Sequence, residues 1–130
     1  MNIKEQLIEL LDNAYAPYSN FRVSAIVKMK DGNIFNGVNV ESPVGGPGVC
    51  AERSAIFNAI SSGYTKGDFE KIYVMTDSEK IETCCFVCRQ VLVEFFEKDC
   101  QVILSNKSGE REIYTIQELC PFPYEGDHLV

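Results

Sequence analysis

Three cysteines and one glutamate stand at spacings that could hold and use a metal ion. Cys50 and Glu52 lie in Cys50-Ala51-Glu52-Arg53, and Cys85 and Cys88 bracket Phe86 and Val87 further along the chain. A Cys-x-x-Cys pair lets two sulfurs from one helical turn reach one ion at about 2.3 Å, and Cys50, arriving from another segment, completes a three-ligand set. Three protein ligands leave a fourth position to water, which marks a catalytic rather than a structural zinc site. Bound zinc lowers the pKa of its water from about 15.7 to about 7, which supplies hydroxide at neutral pH. Glu52 is placed to take the released proton and pass it on, an effect typically worth about 10²–10⁴ in rate. Three thiolates around a dication leave one negative charge, and Arg53 and Arg89 are near enough in sequence to offset it.

Other readings of the same residues stay open at this level. Cys-x-x-Cys opening a helix is also a thioredoxin-like redox arrangement, although that leaves Cys50 and Glu52 without a role. Cys84 as a fourth sulfur would close a structural zinc site in an interaction module, although adjacent Cys84 and Cys85 reach a single ion with difficulty. The cysteines could also be buried apolar side chains, Glu52 a solvated helix residue, and both arginines ordinary surface groups.

The elements that must position these groups follow from hydrophobic period and punctuation. Residues 3–15 place Ile3, Leu7, Ile8, Leu10, Leu11, Ala14 and Tyr15 on one helical stripe, which Pro17 ends. Val23, Ala25 and Val27 alternate as a strand, Asp31-Gly32 offers a tight turn, and Ile34 to Val40 is the return strand. The glycine- and proline-rich stretch 42–49 is a sharply bending loop that delivers Cys50 to a helix that Gly63 terminates. That helix is rich in small residues, as suits close packing on a sheet. Ile72 to Met75 is a buried strand. A second helix opens near Cys85 and carries Val91, Leu92, Phe95 and Phe96 inward. Val102 to Leu104 and Ile113-Tyr114 flank the Ser108-Gly109 turn, Thr115 and Glu118 have capping-box spacing, and Pro121 begins an irregular tail. Both halves of the cysteine cluster thus fall at predicted helix N-termini, where unpaired N–H groups favour thiolates. Helix, hairpin, then helix and strand in alternation make a mixed α/β layer fold, expected as a single domain over 1–130.

Composition narrows the partners. The chain has 130 residues, 45% of them hydrophobic and 24% charged, enough to bury a core. A net charge of −7 without a Lys/Arg-rich face argues against nucleic acid and favours a neutral small molecule. No apolar run approaches the roughly 20 residues of a membrane span, and MNIKEQLIELL lacks the continuous apolar core of a signal peptide. A cytoplasmic location is therefore expected, and with it metal or redox use of the six cysteines rather than a disulfide framework. Cys100 and Cys120, outside the cluster, are expected to be small buried hydrophobes.

Cys-x-Glu followed by Cys-x-x-Cys is the zinc nucleobase deaminase pattern. Ala16-Pro17-Tyr18-Ser19-Asn20-Phe21-Arg22-Val23, Gly37-Val38-Asn39-Val40-Glu41, Cys50-Ala51-Glu52-Arg53 and Cys88-Arg89-Gln90-Val91 resemble the small homotetrameric cytidine deaminases from about residue 14 to residue 124. The resemblance implies a three-layer α/β fold, a mixed five-stranded sheet with helices on both faces, and sites built at subunit interfaces. It implies one Zn²⁺ per subunit on Cys50, Cys85 and Cys88, with Glu52 shuttling protons. Asn39 and Glu41 would hold the ribose hydroxyls, Phe21 would pack on the base, and the Ala51 backbone would hydrogen-bond it. Tyr124 would reach a neighbouring subunit's pocket. The implied reaction is hydrolytic deamination of cytidine and deoxycytidine, a pyrimidine-salvage step. The chain departs from the usual pattern at Cys84, where proline is common, at Phe86-Val87, at Ser24, and in Gly45-Gly46-Pro47-Gly48. The Gly-Gly-Pro run, Val38-Asn39-Val40 and the tail tyrosine are similar to blasticidin S deaminases, so a modified cytosine nucleoside is the alternative substrate. Those enzymes lack a glutamate at the position of Glu41.

Overall fold

Strand β1 (Val23–Met29) is buried on both faces apart from Lys28, so it must lie in the middle of a sheet covered on both sides. The computed structural model, which describes residues 1–126, places it there. Residues 127–130 of the expected 1–130 domain lie outside the described residues. β1 pairs antiparallel with β2 (Ile34–Val38) on one side and with β3 (Phe69–Thr76) on the other. β3 pairs parallel with β4 (Gln101–Asn106), which pairs antiparallel with β5 (Arg111–Thr115). The order β2-β1-β3-β4-β5 is the mixed five-stranded sheet that the resemblance implies.

The two-residue period of the strands sorts their side chains between two layers. Val23, Ala25, Val27, Ile72, Val74, Val102 and Leu104 face α2 (Ala51–Ser61) and α3 (Phe86–Phe95) in the larger core. Ile26 and Met75 face α1 (Ile3–Leu11), meeting Leu7 and Leu11. Helices therefore cover both faces. Ser24 points to the α1 side, where its hydroxyl donates to the Leu7 carbonyl at 2.9 Å. A side chain where glycine is common thus becomes a tie between sheet and helix.

Local signals set most boundaries. Gly32 takes the left-handed backbone (φ 93°) that the β1–β2 turn needs. Thr115 and Glu118 form the full capping box at the start of α4 (Ile116–Leu119). Three expectations are corrected. α1 stops at Leu11 rather than running to residue 15, because the Tyr15 N–H donates to the Asn39 carbonyl and its carbonyl accepts from Glu41, both at 2.9 Å. The second hairpin strand ends at Val38, and Val40 instead bridges Tyr15 and Val49. Cys100 and Cys120 are half-buried rather than buried, one just before β4 and the other capping α4.

Gly37 lets two elements approach closely. A Cβ there would lie 2.3 Å from the Ala55 nitrogen and 2.5 Å from the Ala51 oxygen, both backbone atoms of α2. Glycine lets α2 lie directly on β2, and that contact fixes the height of the helix end bearing Cys50 and Glu52. No helix among the described residues is long and apolar enough to cross a membrane.

Candidate active site

The N-termini of α2 and α3 converge at the cysteine cluster. Cys50 caps α2 and Cys85 caps α3, each with extended backbone, and Cys88 lies one turn into α3. The sulfurs of Cys50, Cys85 and Cys88 all lie within 4.8 Å of one another, with Cys50 and Cys85 at 3.7 Å. Cys88 is buried, Cys50 half-buried and Cys85 exposed, so the cluster opens to one side. The Cys88 N–H donates to the Cys85 sulfur at 3.3 Å, and Arg53 Nη2 donates to the Cys50 sulfur at 3.5 Å. The Cys50 thiol is held well below its ordinary range, first by a hydrogen bond from Cys88 and then by Arg53 and Cys85. The Cys88 thiol is pushed up in turn, because it is the donor to Cys50 and is desolvated. Soft, mutually close sulfur donors at two helix N-termini fit a zinc ion, and three of them leave room for an exchangeable ligand.

Cys84 is not a fourth donor. Extended backbone turns consecutive side chains apart, and Cys84 is buried against the Glu52 carboxyl instead, where desolvation and that carboxyl raise its pKa. This removes the four-sulfur structural site. Glu52 is only 4% exposed. Burial raises its pKa, opposed by its own backbone amide and by the Cys84 thiol.

Glu52, Cys50 and Cys85 line a cleft of about 440 Å³ together with Phe21, Asn39, Glu41 and Ala51. Ala51 is the first residue of α2, where a backbone N–H has no helical partner and is free to meet a ligand. Asn20, in the left-handed region at φ 57°, turns the chain so that Phe21 meets the cleft; asparagine tolerates that backbone. The Asn39 side chain accepts from the Val23 N–H at 2.9 Å and donates to the Phe21 carbonyl at 2.8 Å, so it also ties this wall together. Glu41 accepts from the Tyr18 and Ser19 N–H groups at 3.1 Å and from the Ser19 hydroxyl, which lowers its pKa. A carboxylate has about four acceptor positions, so capacity for a further hydroxyl remains.

Two further expected residues lie outside the cleft lining. Arg89 makes its hydrogen bonds to the Cys84 carbonyl (2.8 Å), the Leu119 carbonyl (2.9 Å) and the Thr83 hydroxyl (3.1 Å), and it stacks 4.4 Å from the Phe86 ring centre. Its contacts fix the backbone that presents Cys85 rather than a sulfur. Tyr124, which the resemblance assigns to a neighbouring subunit's pocket rather than its own, is held by Gln90 along α3 and lines a second groove. Tyr18, Ser42, Thr76, Glu82 and Thr83 also line the cleft. Tyr18 lay inside a recognised motif; Thr76 had no sequence signal, because only strand pairing brings it to the site.

Residues 2–104 match the family model described as the cytidine and deoxycytidylate deaminase zinc-binding region. A cytidine deaminase from Halalkalibacterium halodurans is 38% identical over 129 residues, covering 99% of this chain and 96% of that protein. A blasticidin-S deaminase from Bacillus cereus is 30% identical over 95% of each chain. The crystal structure of a cytidine deaminase from Burkholderia pseudomallei superposes with a TM-score of 0.89 at 35% identity, covering 95% of this chain and all of that one. The chain belongs to the zinc-binding cytidine and deoxycytidylate deaminase family.

Proposed function

We propose that the protein hydrolytically deaminates cytidine and deoxycytidine, releasing ammonia and leaving uridine or deoxyuridine. The observation that carries this reading is a buried Glu52 lining the same cleft as Cys50 and Cys85, whose sulfurs lie with that of Cys88 within 4.8 Å of one another. Cys50, Cys85 and Cys88 would hold one Zn²⁺, which when bound makes water nucleophilic at neutral pH. Glu52 receives the proton of the attacking water and delivers it to ring N3, and then carries the proton of the new C4 hydroxyl to the amino group, which departs as ammonia as the C4 carbonyl forms. The Ala51 N–H orients the base through its carbonyl oxygen, and Phe21 packs on the ring. Asn39 and Glu41 hold the ribose hydroxyls. Arg53, on the Cys50 sulfur, offsets the excess thiolate charge.

A nucleoside is favoured over a nucleotide because Glu41 and Glu82 both border the cleft and would repel a phosphate. Glu41 also separates the cytidine reading from that of a modified cytosine nucleoside. Its carboxylate, anchored by Ser19, is set to accept hydrogen bonds from sugar hydroxyls. The reaction fits pyrimidine salvage in the cytoplasm. Exposed Phe57, Phe86, Val87, Phe122 and Tyr124 supply apolar surface for the homotetramer that the resemblance implies.

Metal analysis joined to an ultraviolet assay tests the reading. One zinc per chain with loss of cytidine absorbance is expected. Turnover of blasticidin S alone would move the substrate to a modified nucleoside, and zinc without deamination of any cytosine compound would reduce the site to a structural one.

A further inference from the structure

The sheet floor of the cleft carries a polar group that the proposed chemistry leaves unused. Thr76, the last residue of β3, is 3% exposed, and its Oγ1 is buried without a hydrogen-bond partner among the described residues. Native interiors seldom keep a hydroxyl in that condition, because its desolvation is uncompensated. Thr76 lies two residues beyond Val74, on the strand face that looks toward α2, and stands opposite Val23 across the β1–β3 ladder. All three residues line the cleft with Phe21, Ala51 and Glu52.

No neighbour on the sheet hydrogen-bonds the hydroxyl. Val23 and Val74 have apolar side chains. Asn106, opposite Thr76 on β4, is buried and turned to other partners: its amide donates to the Glu79 carbonyl (2.6 Å) and the Glu110 carboxylate (2.9 Å), and its oxygen accepts from the Glu110 N–H (3.0 Å). The side from which a partner can come is the cleft. Its rim is the more exposed and polar part, with Tyr18, Glu41 and Ser42, whereas Val23, Val74 and Thr76 form a buried floor. The flatter, less polar end of a nucleoside, its base, belongs on such a floor.

We propose that the Thr76 hydroxyl hydrogen-bonds the polar edge of the bound pyrimidine and is a specificity-determining residue for it. The proposal rests on the nucleoside deaminase reading above. A hydroxyl both donates and accepts, so one side chain serves the amino-bearing substrate and the carbonyl-bearing product. The small, stiff β-branched side chain also holds its donor in a fixed rotamer on the floor.

Thr76→Val keeps shape and removes the hydroxyl; Thr76→Ser keeps the hydroxyl and removes a methyl. In the zinc-loaded protein, Thr76→Val should raise KM for cytidine, and weaken uridine binding measured by calorimetry, by about three- to tenfold, the loss of one neutral hydrogen bond. Its kcat should stay near wild type and its ligand-free melting temperature should not fall, because a group with no internal partner is what has been removed. Thr76→Ser should restore KM. A structural role would give the reverse, a lower melting temperature with unchanged KM. Wild-type turnover together with an unaltered KM and uridine affinity in Thr76→Val overturns the Thr76 assignment alone. A wild-type protein that neither binds nor converts either nucleoside overturns the deaminase reading and this assignment with it.

Discussion

The two helix N-termini that meet at the sulfur cluster carry similar residues and are built differently. Each places a cysteine at the N-cap and an arginine within the first turn or so. At α2, Ala51 and Glu52 are buried, and the helix is pressed onto β2 through Gly37. At α3, Phe86 and Val87 are 77% and 58% exposed, and the segment entering the helix is held by Arg89. Arg53 touches a sulfur, whereas Arg89 touches carbonyls and a hydroxyl. On the proposed function the α2 end is the reacting side, set by backbone packing. The α3 end is the metal-presenting side, set by one side-chain clamp and facing outward. Perturbing each end should damage different quantities.

Removing the proposed proton carrier at the α2 end should have the largest effect. Glu52→Gln keeps the buried shape and should lower kcat by about 10²–10⁴-fold while zinc content stays at one per chain. Near-wild-type turnover would take Glu52 out of the mechanism. Gly37→Ala comes next. Its Cβ would meet backbone atoms of α2 at 2.3 and 2.5 Å, so the helix itself must shift. Overpacking of this kind typically costs about 1–3 kcal/mol, so denaturant unfolding should show that loss together with reduced turnover. Gly45→Ala is the control at the loop rim, since a Cβ there meets nothing within 4 Å; an equal loss of stability in both variants would end the argument from close packing.

At the α3 end, Arg89→Ala should weaken zinc retention about 10- to 100-fold, as loss of the groups that orient metal ligands generally does. Competition with a chelator measures it. Arg89→Lys should rescue poorly, because a single ammonium cannot reach the Cys84 and Leu119 carbonyls and the Thr83 hydroxyl as a planar fork does. Unchanged zinc affinity in Arg89→Ala would mean that the Cys85 segment is held by other contacts.

How much of this could be read from the sequence depended on how local each cause is. The cysteine cluster was legible because Cys-x-Glu and Cys-x-x-Cys each lie within one helical turn, and both N-caps follow from nearby punctuation. The sheet was legible because β1 and β3 alternate or run apolar over a strand's length. The end of α1 was not, since Tyr15 leaves the helical pattern to bond Asn39 and Glu41, more than 20 residues away. The clamp made by Arg89 was not legible, because proximity in sequence to Cys88 does not reveal that a carbonyl at Leu119 will fold onto it. Thr76 was silent for the same reason: its significance depends on which residues β1 and β4 set opposite it.

Cys84 joins the two ends and carries the smallest expected effect. It belongs to the segment that enters α3, yet its side chain is buried against Glu52 of α2. A thiol there can donate to the Glu52 carboxyl, which the proline common at this position cannot do. Serine also has a donor of similar reach, so Cys84→Ser should keep zinc at one per chain and retain activity. Cys84→Ala removes the donor while leaving the three metal sulfurs untouched, and should lower kcat modestly, by about fivefold on the usual worth of one hydrogen bond, with zinc again unchanged. Loss of zinc in Cys84→Ser would bring Cys84 back among the metal ligands. Equal kcat in the serine and alanine variants would leave Cys84 as packing between two helix ends, with Glu52 positioned from the α2 side alone.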